Sequence, residues 1–184
     1  MATCTLSPTV NSGFTLASPT PASETVRAWR VRPMRQADVA VAKLLFHQLH
    51  AFNASLDPQF ALSEQWESYF AAVIDEALNG KVLCLLACEI GTDRPCGFAL
   101  AAVHHDSNMW RVNEWVEVEA LYVADAWRGS GLADMLLTRA CAWAENIGQS
   151  VVQLYVTASN ERAIRFYRHE GFGETQTIMR KVLL

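Results

Sequence analysis

The sequence has no uninterrupted apolar run that approaches the roughly 18 residues of a membrane-spanning helix, so we expect no membrane partner. It also lacks a C-x-x-C pair, although it contains five cysteines. An odd number of cysteines placed mostly within apolar runs indicates reduced core thiols, so we expect a cytoplasmic protein without a metal site. The five are Cys4, Cys84, Cys88, Cys96 and Cys141.

Positive charge is scarce too, with 15 Lys and Arg against 19 Asp and Glu, a formal net charge of −4. This balance does not suit a nucleic-acid-binding protein. The length of 184 residues suits one domain with a hydrophobic core. Residues 1–26 are rich in Ser, Thr, Pro and Ala and carry a single charge, Glu24. Such a segment cannot offset its ordering entropy, so we predict a disordered tail followed by one domain over 27–184.

Hydrophobic periodicity over residues 27–184 predicts about four helices and six or seven strands. The predicted helices begin near Gln36, Ser63, Leu132 and Glu161. The predicted strands cover 28–32, 81–89, 95–104, 115–123, 151–156 and 173–182. Helices fall both before and between the strands, which favours an α+β fold with a mixed sheet over a doubly wound sheet.

A glycine turn separates the strand at 115–123 from the helix that follows it. The residues Arg128-Gly129-Ser130-Gly131 lead directly into the helical pattern, so unpaired backbone N–H groups point at one place, which suits phosphate oxygens. A P-loop is excluded because Lys and Ser/Thr do not follow Gly131, and Asp134 breaks the dinucleotide-binding fingerprint. An ordinary strand–turn–helix connection would also fit this turn taken alone.

Two longer segments carry a family resemblance. Residues 121–137 (LYVADAWRGSGLADMLL) resemble the coenzyme A-binding motif Q/R-x-x-G-x-G/A of the GNAT superfamily of N-acetyltransferases, and 160–172 (NERAIRFYRHEGF) resemble its second signature. The two segments come in the family's order and at its usual separation. Ala126 stands where the motif usually has Gln or Arg. The resemblance spans about Trp29 to the C-terminus and implies a single-domain GNAT-like fold.

The resemblance implies that acetyl-CoA is the co-substrate. In the family, the pantetheine arm lies in a gap where the central strand splays from its neighbour, usually at a bulge, and the pyrophosphate lies on the glycine turn. The pantetheine and the thioester carbonyl would then meet backbone at Leu121, Tyr122 and Val123, with a backbone N–H as oxyanion donor. The pyrophosphate-binding residues implied are Arg128, Gly129, Ser130, Gly131, Leu132 and Ala133. Asn160 would cap its helix or contact the pantetheine arm.

The resemblance also implies direct attack by an amine on the thioester, assisted by an acid and a base. Glu119 lies on the central strand where family members that acetylate small amines place a glutamate, so it is the candidate base. Glu117 shares its face, and Glu117 or a water molecule are the alternatives. Tyr167 matches the family tyrosine that protonates the leaving thiolate. Both glutamates could instead belong to a solvated strand face, and Tyr167 could be a core residue.

The first helix and the loop after it help to wall the acceptor pocket in the family, which makes His50, Phe52, Asn53, Asp57 and Phe60 candidates for substrate choice. Each of them could instead pack in the core or face water. The acidic residues Glu114, Glu117 and Glu119 favour a small cationic amine as acceptor. A protein lysine or N-terminus is the alternative acceptor, and a non-catalytic acyl-CoA-binding sensor is a second alternative. The sequence leaves the oligomeric state open, a homodimer being one candidate.

Overall fold

The computed structural model describes residues 28–183, so the predicted tail over 1–26 lies outside the described residues. The described chain contains four α-helices, five strands and three short 3-10 turns. The strands are β1 (Trp29–Pro33), β2 (Leu83–Glu89), β3 (Pro95–His105), β4 (Glu114–Val123) and β5 (Val152–Gln153). The helices are α1 (Val39–Leu56), α2 (Trp66–Leu78), α3 (Leu132–Asn146) and α4 (Glu161–His169). The 3-10 turns are Gln36–Asp38, Pro58–Phe60 and Asp125–Trp127.

The strands form one sheet in the order β1-β2-β3-β4-β5. The first four strands pair antiparallel with their neighbours, and β5 pairs parallel to β4. The parallel pair is connected through α3, because parallel neighbours need a long crossover. The sheet is therefore mixed, and the α+β fold is confirmed.

The sheet is covered on both faces, and the alternation of β3 shows how. Phe98 and Leu100 pack into the core beneath α1 and α2, which also holds Phe46 and Phe70. Ala99 and Ala101 point to the other face and pack with Leu136 and Leu137 of α3. Because successive strand residues point to opposite faces, a strand buried on both sides must be apolar throughout. This explains the continuous apolar runs of β2 and β3.

Pairing is irregular on both sides of β4, and this irregularity forms a gap in the sheet. The β3–β4 register shifts between Leu100, which pairs with Ala120, and Ala101, which pairs with Val118. Glu119 is therefore the extra residue of a β-bulge. On the other side, β5 pairs with β4 only at Val116 and Glu117. Beyond Glu117 the edge of β4 that faces β5 has no strand partner within the described residues.

The sheet has five strands in the described chain, fewer than the six or seven predicted. The segment 173–182 forms no strand, and β5 is two residues long where six were predicted. The alternation in 173–182 does not lead to burial, since Met179 is 92% exposed and Ile178 and Val182 are also exposed. An apolar pattern produces a strand only when a neighbouring strand supplies hydrogen bonds, and none lies beside this segment in the described chain.

The longest helix of the described chain is α1, with 18 residues. The middle turns of α1 contain the polar residues Lys43, His47 and Gln48, and its buried side chains form a stripe that faces the sheet. This is the pattern of an amphipathic helix that packs on a core. No helix within residues 28–183 is both long enough and apolar enough to cross a membrane.

Candidate active site

A cavity of about 690 Å³ lies at the gap in the sheet. Its floor is the second half of β4, and its walls come from the start of α3, the segment after β5, α4 and the end of α1. Ten of the twelve catalytic and cofactor-binding residues predicted from the sequence line it together. These are Glu119, Leu121, Tyr122, Val123, Arg128, Gly129, Gly131, Ala133, Asn160 and Tyr167.

The glycine turn directs backbone N–H groups toward this cavity. Gly129 and Gly131 adopt φ of 76° and 77°, a left-handed conformation that glycine adopts without strain. The N–H of Met135 donates to the carbonyl of Gly131 at 3.1 Å, so the N–H groups of residues 132–134 have no acceptor within the helix. No side chain caps this terminus. The start of α3 can therefore accept an anion.

Close packing fixes the position of this helix start. A Cβ added to Gly97 of β3 would lie 3.1 Å from Leu132 and 3.2 Å from Leu136. Glycine at position 97 thus lets α3 approach the sheet closely. Because Leu132 is 1% exposed, the first residue of the helix is anchored in the core beside the cavity.

Two arginines, Arg128 and Arg162, line the cavity and supply positive charge. Arg128 pairs with Asp125 at 2.5 Å, so part of its charge is already balanced. Arg162 lines the cavity and has no ion-pair partner among the described residues. The carboxylate of Asp134 lies here too, 3.7 Å from the position of a Cβ on Gly131. Sequence reasoning missed Arg162, although its place two residues after Asn160 in the second signature could have drawn attention to it.

The backbone of Leu121, Tyr122 and Val123 faces the gap. One edge of this stretch pairs with Ala99, Phe98 and Gly97 of β3. Because strand residues direct their N–H and C=O groups to alternate edges, some of these groups point away from β3. With no strand there among the described residues, those groups can bond an extended ligand in the manner of an added strand.

Glu119 projects into the cavity from the bulge. Burial by the surrounding protein raises its pKa, and the negative charge of Glu117 raises the pKa further, whereas His104 lowers it. The carboxyl remains accessible from the cavity. Glu117 does not line the cavity and instead lies 3.8 Å from His104, with one oxygen buried and without a hydrogen-bond partner. A carboxylate with a raised pKa is a stronger base, so Glu119 is better suited to accept a proton than an ordinary surface glutamate.

Tyr167 lies on α4 and reaches the same cavity. Its ring packs beside Phe166 and Phe172, with ring centroids 5.2 Å and 5.9 Å away. Burial raises the pKa of its hydroxyl to about 12. The hydroxyl therefore stays protonated at neutral pH, and it has no hydrogen-bond partner among the described residues. It can donate a hydrogen bond to a group in the cavity.

Asn160 is the N-cap of α4. Its Oδ1 accepts a hydrogen bond from the N–H of Ala163 at 3.2 Å, which satisfies one of the free N–H groups at the helix start. The same side chain lines the cavity, and its Nδ2 has no partner within the described chain. Capping and contact with a ligand are therefore compatible, because they use different atoms of one amide.

Residues of α1 and of the turn after it line the part of the cavity that we call the acceptor end. Four of the five acceptor-wall residues predicted from the sequence lie here, namely His50, Phe52, Asn53 and Phe60. Burial lowers the pKa of His50, so its imidazole is neutral at pH 7. Asp57 does not line the cavity and pairs with Arg180 at 3.0 Å.

Two predicted phosphate-binding residues do not line the cavity. The hydroxyl of Ser130 donates to the carbonyl of Trp127 at 2.7 Å, and the side chain of Leu132 is in the core. The cavity also contains residues that sequence reasoning missed, because the fold brings them together from separate segments. These are Leu49, Val118, Ala120, Trp127, Asp134, Tyr155, Val156, Thr157, Arg162, Ala163, Phe166 and Ile178.

A bulged central strand, a split sheet and a free helix start around one cavity define a class of α+β acyltransferase-like folds. The chain belongs to the acetyltransferase (GNAT) family, whose sequence profile matches residues 47–172. The membership predicted from 121–137 and 160–172 is thereby confirmed. An uncharacterized N-acetyltransferase of Methanocaldococcus jannaschii is 31% identical over 91 residues, which cover 50% of this chain and 39% of that protein. The chain thus spans about two fifths of that relative's length.

Solved structures share the fold over most of the chain. The aminoglycoside acetyltransferase AAC(6')-Iy, in complex with a bisubstrate analogue of CoA and acetylneamine, is 19% identical and superposes with a TM-score of 0.66 over 85% of this chain and 99% of its own. The aminoglycoside 6'-N-acetyltransferase AAC(6')-IG of Acinetobacter haemolyticus is 20% identical, with a TM-score of 0.63 over 84% and 98%. A variant of the Bacillus halodurans protein BH1408 with four mutations is 19% identical, with a TM-score of 0.69 over 84% of this chain and 99% of its own. At this level of identity the likeness extends to the fold alone.

Proposed function

We propose that the chain is an N-acetyltransferase that moves an acetyl group from acetyl-CoA to the primary amine of a small cationic molecule. The observation that carries this proposal is the convergence of Glu119, Tyr167 and the free start of α3 on one cavity at the gap beside β4. These features meet the needs of direct transfer, which are a held thioester, a base for the amine and a donor for the leaving thiolate.

Acetyl-CoA would be held by backbone groups more than by side chains. The pantetheine arm would bond the free edge of Leu121–Val123, and the pyrophosphate would lie against the N–H groups at the start of α3. Arg162 would supply the unpaired cation, with Arg128 sharing its charge between Asp125 and the phosphates. A free N–H at the end of β4 would bond the thioester oxygen as negative charge develops there.

The reaction forms a C–N bond and breaks a C–S bond. Glu119 accepts a proton from the acceptor ammonium, directly or through water, and the freed amine attacks the thioester carbon. Attack leaves a second proton on the nitrogen. As the tetrahedral intermediate collapses to the amide, the thiolate leaves with a hydrogen bond from the hydroxyl of Tyr167, and the nitrogen gives up its proton to water. Holding both reactants in one cavity supplies much of the acceleration, because the step becomes effectively unimolecular.

Charge at the acceptor end favours a cation. The ionised Glu119 lies within electrostatic reach of Glu117 and of Glu76 on α2, so three carboxyl groups bear on this end of the cavity. Neutral His50 contributes no opposing charge. Two of the similar folds act, by their names, on aminoglycosides, which are small polycationic amines. A peptide acceptor would need an open groove, and the acidic charges give no particular reason to favour it.

Replacement of Gly131 tests the cofactor site. In Gly131→Val the branched side chain would project beside the carboxylate of Asp134 at the start of α3, where the pyrophosphate must approach the backbone. We expect the affinity for acetyl-CoA, measured by calorimetry, to fall at least tenfold, about 1.4 kcal/mol. Gly148→Val is the matched control, because Gly148 also has a positive φ and therefore suffers the same backbone strain, but lies at the other end of α3. Equal affinities in the two variants would place the pyrophosphate elsewhere.

A further inference from the structure

The segment that follows α4 has no regular secondary structure but contacts the site. At its start Glu174 pairs with Arg168 of α4, and near its end Arg180 contacts both carboxylate oxygens of Asp57 at 3.0 Å and 3.3 Å. Between these contacts Ile178 lines the cavity. We call residues 173–183 the C-terminal strap. The strap thus runs from α4 to the end of α1, across the acceptor end of the cavity.

Asp57 connects the strap to the acceptor wall. Its backbone N–H donates to Asn53 at the end of α1, and its carboxylate accepts from the N–H of Gln59 at 3.0 Å. The second contact caps the 3-10 turn that carries Phe60. The carboxylate of Asp57 therefore fixes the turn that carries Phe60. It also holds Arg180, two residues from Ile178, and both Phe60 and Ile178 line the cavity.

We propose that the C-terminal strap is the selectivity wall of the acceptor site, in which Ile178 contacts the acceptor and the Arg180–Asp57 pair positions Ile178. This inference rests on the proposed function. The apolar side chains of Ile178, Phe60 and Phe52 line the same cavity as the carboxylate of Glu119. Such a site accepts an amine with an apolar or ring-shaped body next to its ammonium group, and Ile178 limits the bulk of that body.

The strap can change without loss of the fold. No residue of 173–183 belongs to the buried core, and Ile178 is 75% exposed. The Arg180–Asp57 pair is itself partly exposed, and ion pairs of this kind contribute little to stability. Substitutions here should therefore alter recognition of the acceptor while leaving the melting temperature close to that of the parent.

The test measures steady-state kinetics with putrescine, tyramine and kanamycin as amine probes. We expect Arg180→Ala to raise KM about two- to fivefold for the probe that the parent acetylates best, with kcat and the KM for acetyl-CoA unchanged. Arg180→Lys should restore most of the loss. Ile178→Ala should raise kcat/KM for the bulkiest probe relative to the smallest by about five- to tenfold. Arg165→Ala is the control, because it removes an exposed ion pair of α4 that lies away from the cavity.

Several outcomes would overturn the inference. It fails if the KM for the amine and the ratio between probes stay at the parent values in both strap variants. It also fails if Arg165→Ala produces the same change, or if the KM for acetyl-CoA rises in parallel, because either result indicates a general disturbance. If the parent itself releases no thiol in response to any probe, the proposed function fails together with this inference. If the parent is active but the strap variants keep its selectivity, only the proposal about the strap is overturned.

Discussion

Glu119 is held at the bulge of β4 with a pKa raised chiefly by burial and secondly by the charge of Glu117. Since the base must be ionised to accept a proton, we expect kcat/KM for the amine to fall as the pH falls through this raised pKa. Glu119→Gln should remove that acidic limb of the pH–rate profile. Glu117→Gln should keep the limb but move it to lower pH, because one repelling charge is gone. Identical profiles in all three proteins would exclude Glu119 as the base.

The same pKa shift has a consequence for stability. A carboxyl whose pKa is higher in the folded than in the unfolded protein binds more protons when folded, so its contribution to stability falls as the pH rises through that range. This loss of stability is absent at pH below the pKa of the group in the unfolded protein and is complete above its pKa in the folded protein. Glu119→Gln should therefore melt at a higher temperature than the parent at neutral pH and at a similar temperature in acid.

Tyr167 provides a test that separates chemistry from packing. Tyr167→Phe keeps the ring contacts with Phe166 and Phe172 and removes the hydroxyl. Because burial raises the pKa of the hydroxyl to about 12, in the proposed mechanism it would be a weak acid that assists the thiolate mainly by hydrogen bonding. We expect kcat to fall roughly tenfold to a hundredfold, with little change in acetyl-CoA affinity or melting temperature. Tyr155→Phe, in the same cavity, is the control, and an equal fall in both variants would remove Tyr167 from the mechanism.

At the scale of elements, α4 depends on Asn160 for its start. Asn160→Ala should lower stability by about 1 kcal/mol, because the N–H of Ala163 loses its acceptor. Asn160→Asp keeps an acceptor for that N–H but replaces the free Nδ2 donor with a negatively charged oxygen. We expect this variant to melt near the parent temperature and to bind acetyl-CoA more weakly. A parent-like affinity in Asn160→Asp would limit the residue to capping.

Elements with local causes were predictable from the sequence, and those with distant causes were not. The turn at 128–131 and the cap at Asn160 follow from residues adjacent in the chain, so the start of α3 and of α4 could be predicted. The bulge at Glu119 depends on how β4 registers with β3, which no local pattern encodes. For the same reason 173–182, which resembles a strand by alternation, forms none. Its contact with Asp57 joins residues 123 positions apart in the sequence.

At the scale of the whole molecule, each half of the site belongs to a different part of the fold. The start of α3 is anchored on the sheet through Gly97, and the acceptor wall comes from α1 and the turn that follows it. The family signatures allowed most residues of the cofactor side to be predicted, but neither Arg162 on that side nor Ile178 on the acceptor side was found. Arg162 and Ile178 enter the cavity only because α4 and the C-terminal strap fold back beside β4. If the proposed acceptor site is correct, its selectivity depends on the arrangement of several segments.

The most direct test of the account is the rate of thiol release from acetyl-CoA as a function of amine concentration. We expect saturable release that depends on a small cationic amine, falls in Tyr167→Phe and Glu119→Gln, and forms one acetylated amine for each thiol. If acetyl-CoA binds tightly but neither small cationic amines nor peptide amines raise release above the rate of hydrolysis, the account is wrong. The chain would then bind acyl-CoA without transferring the acetyl group.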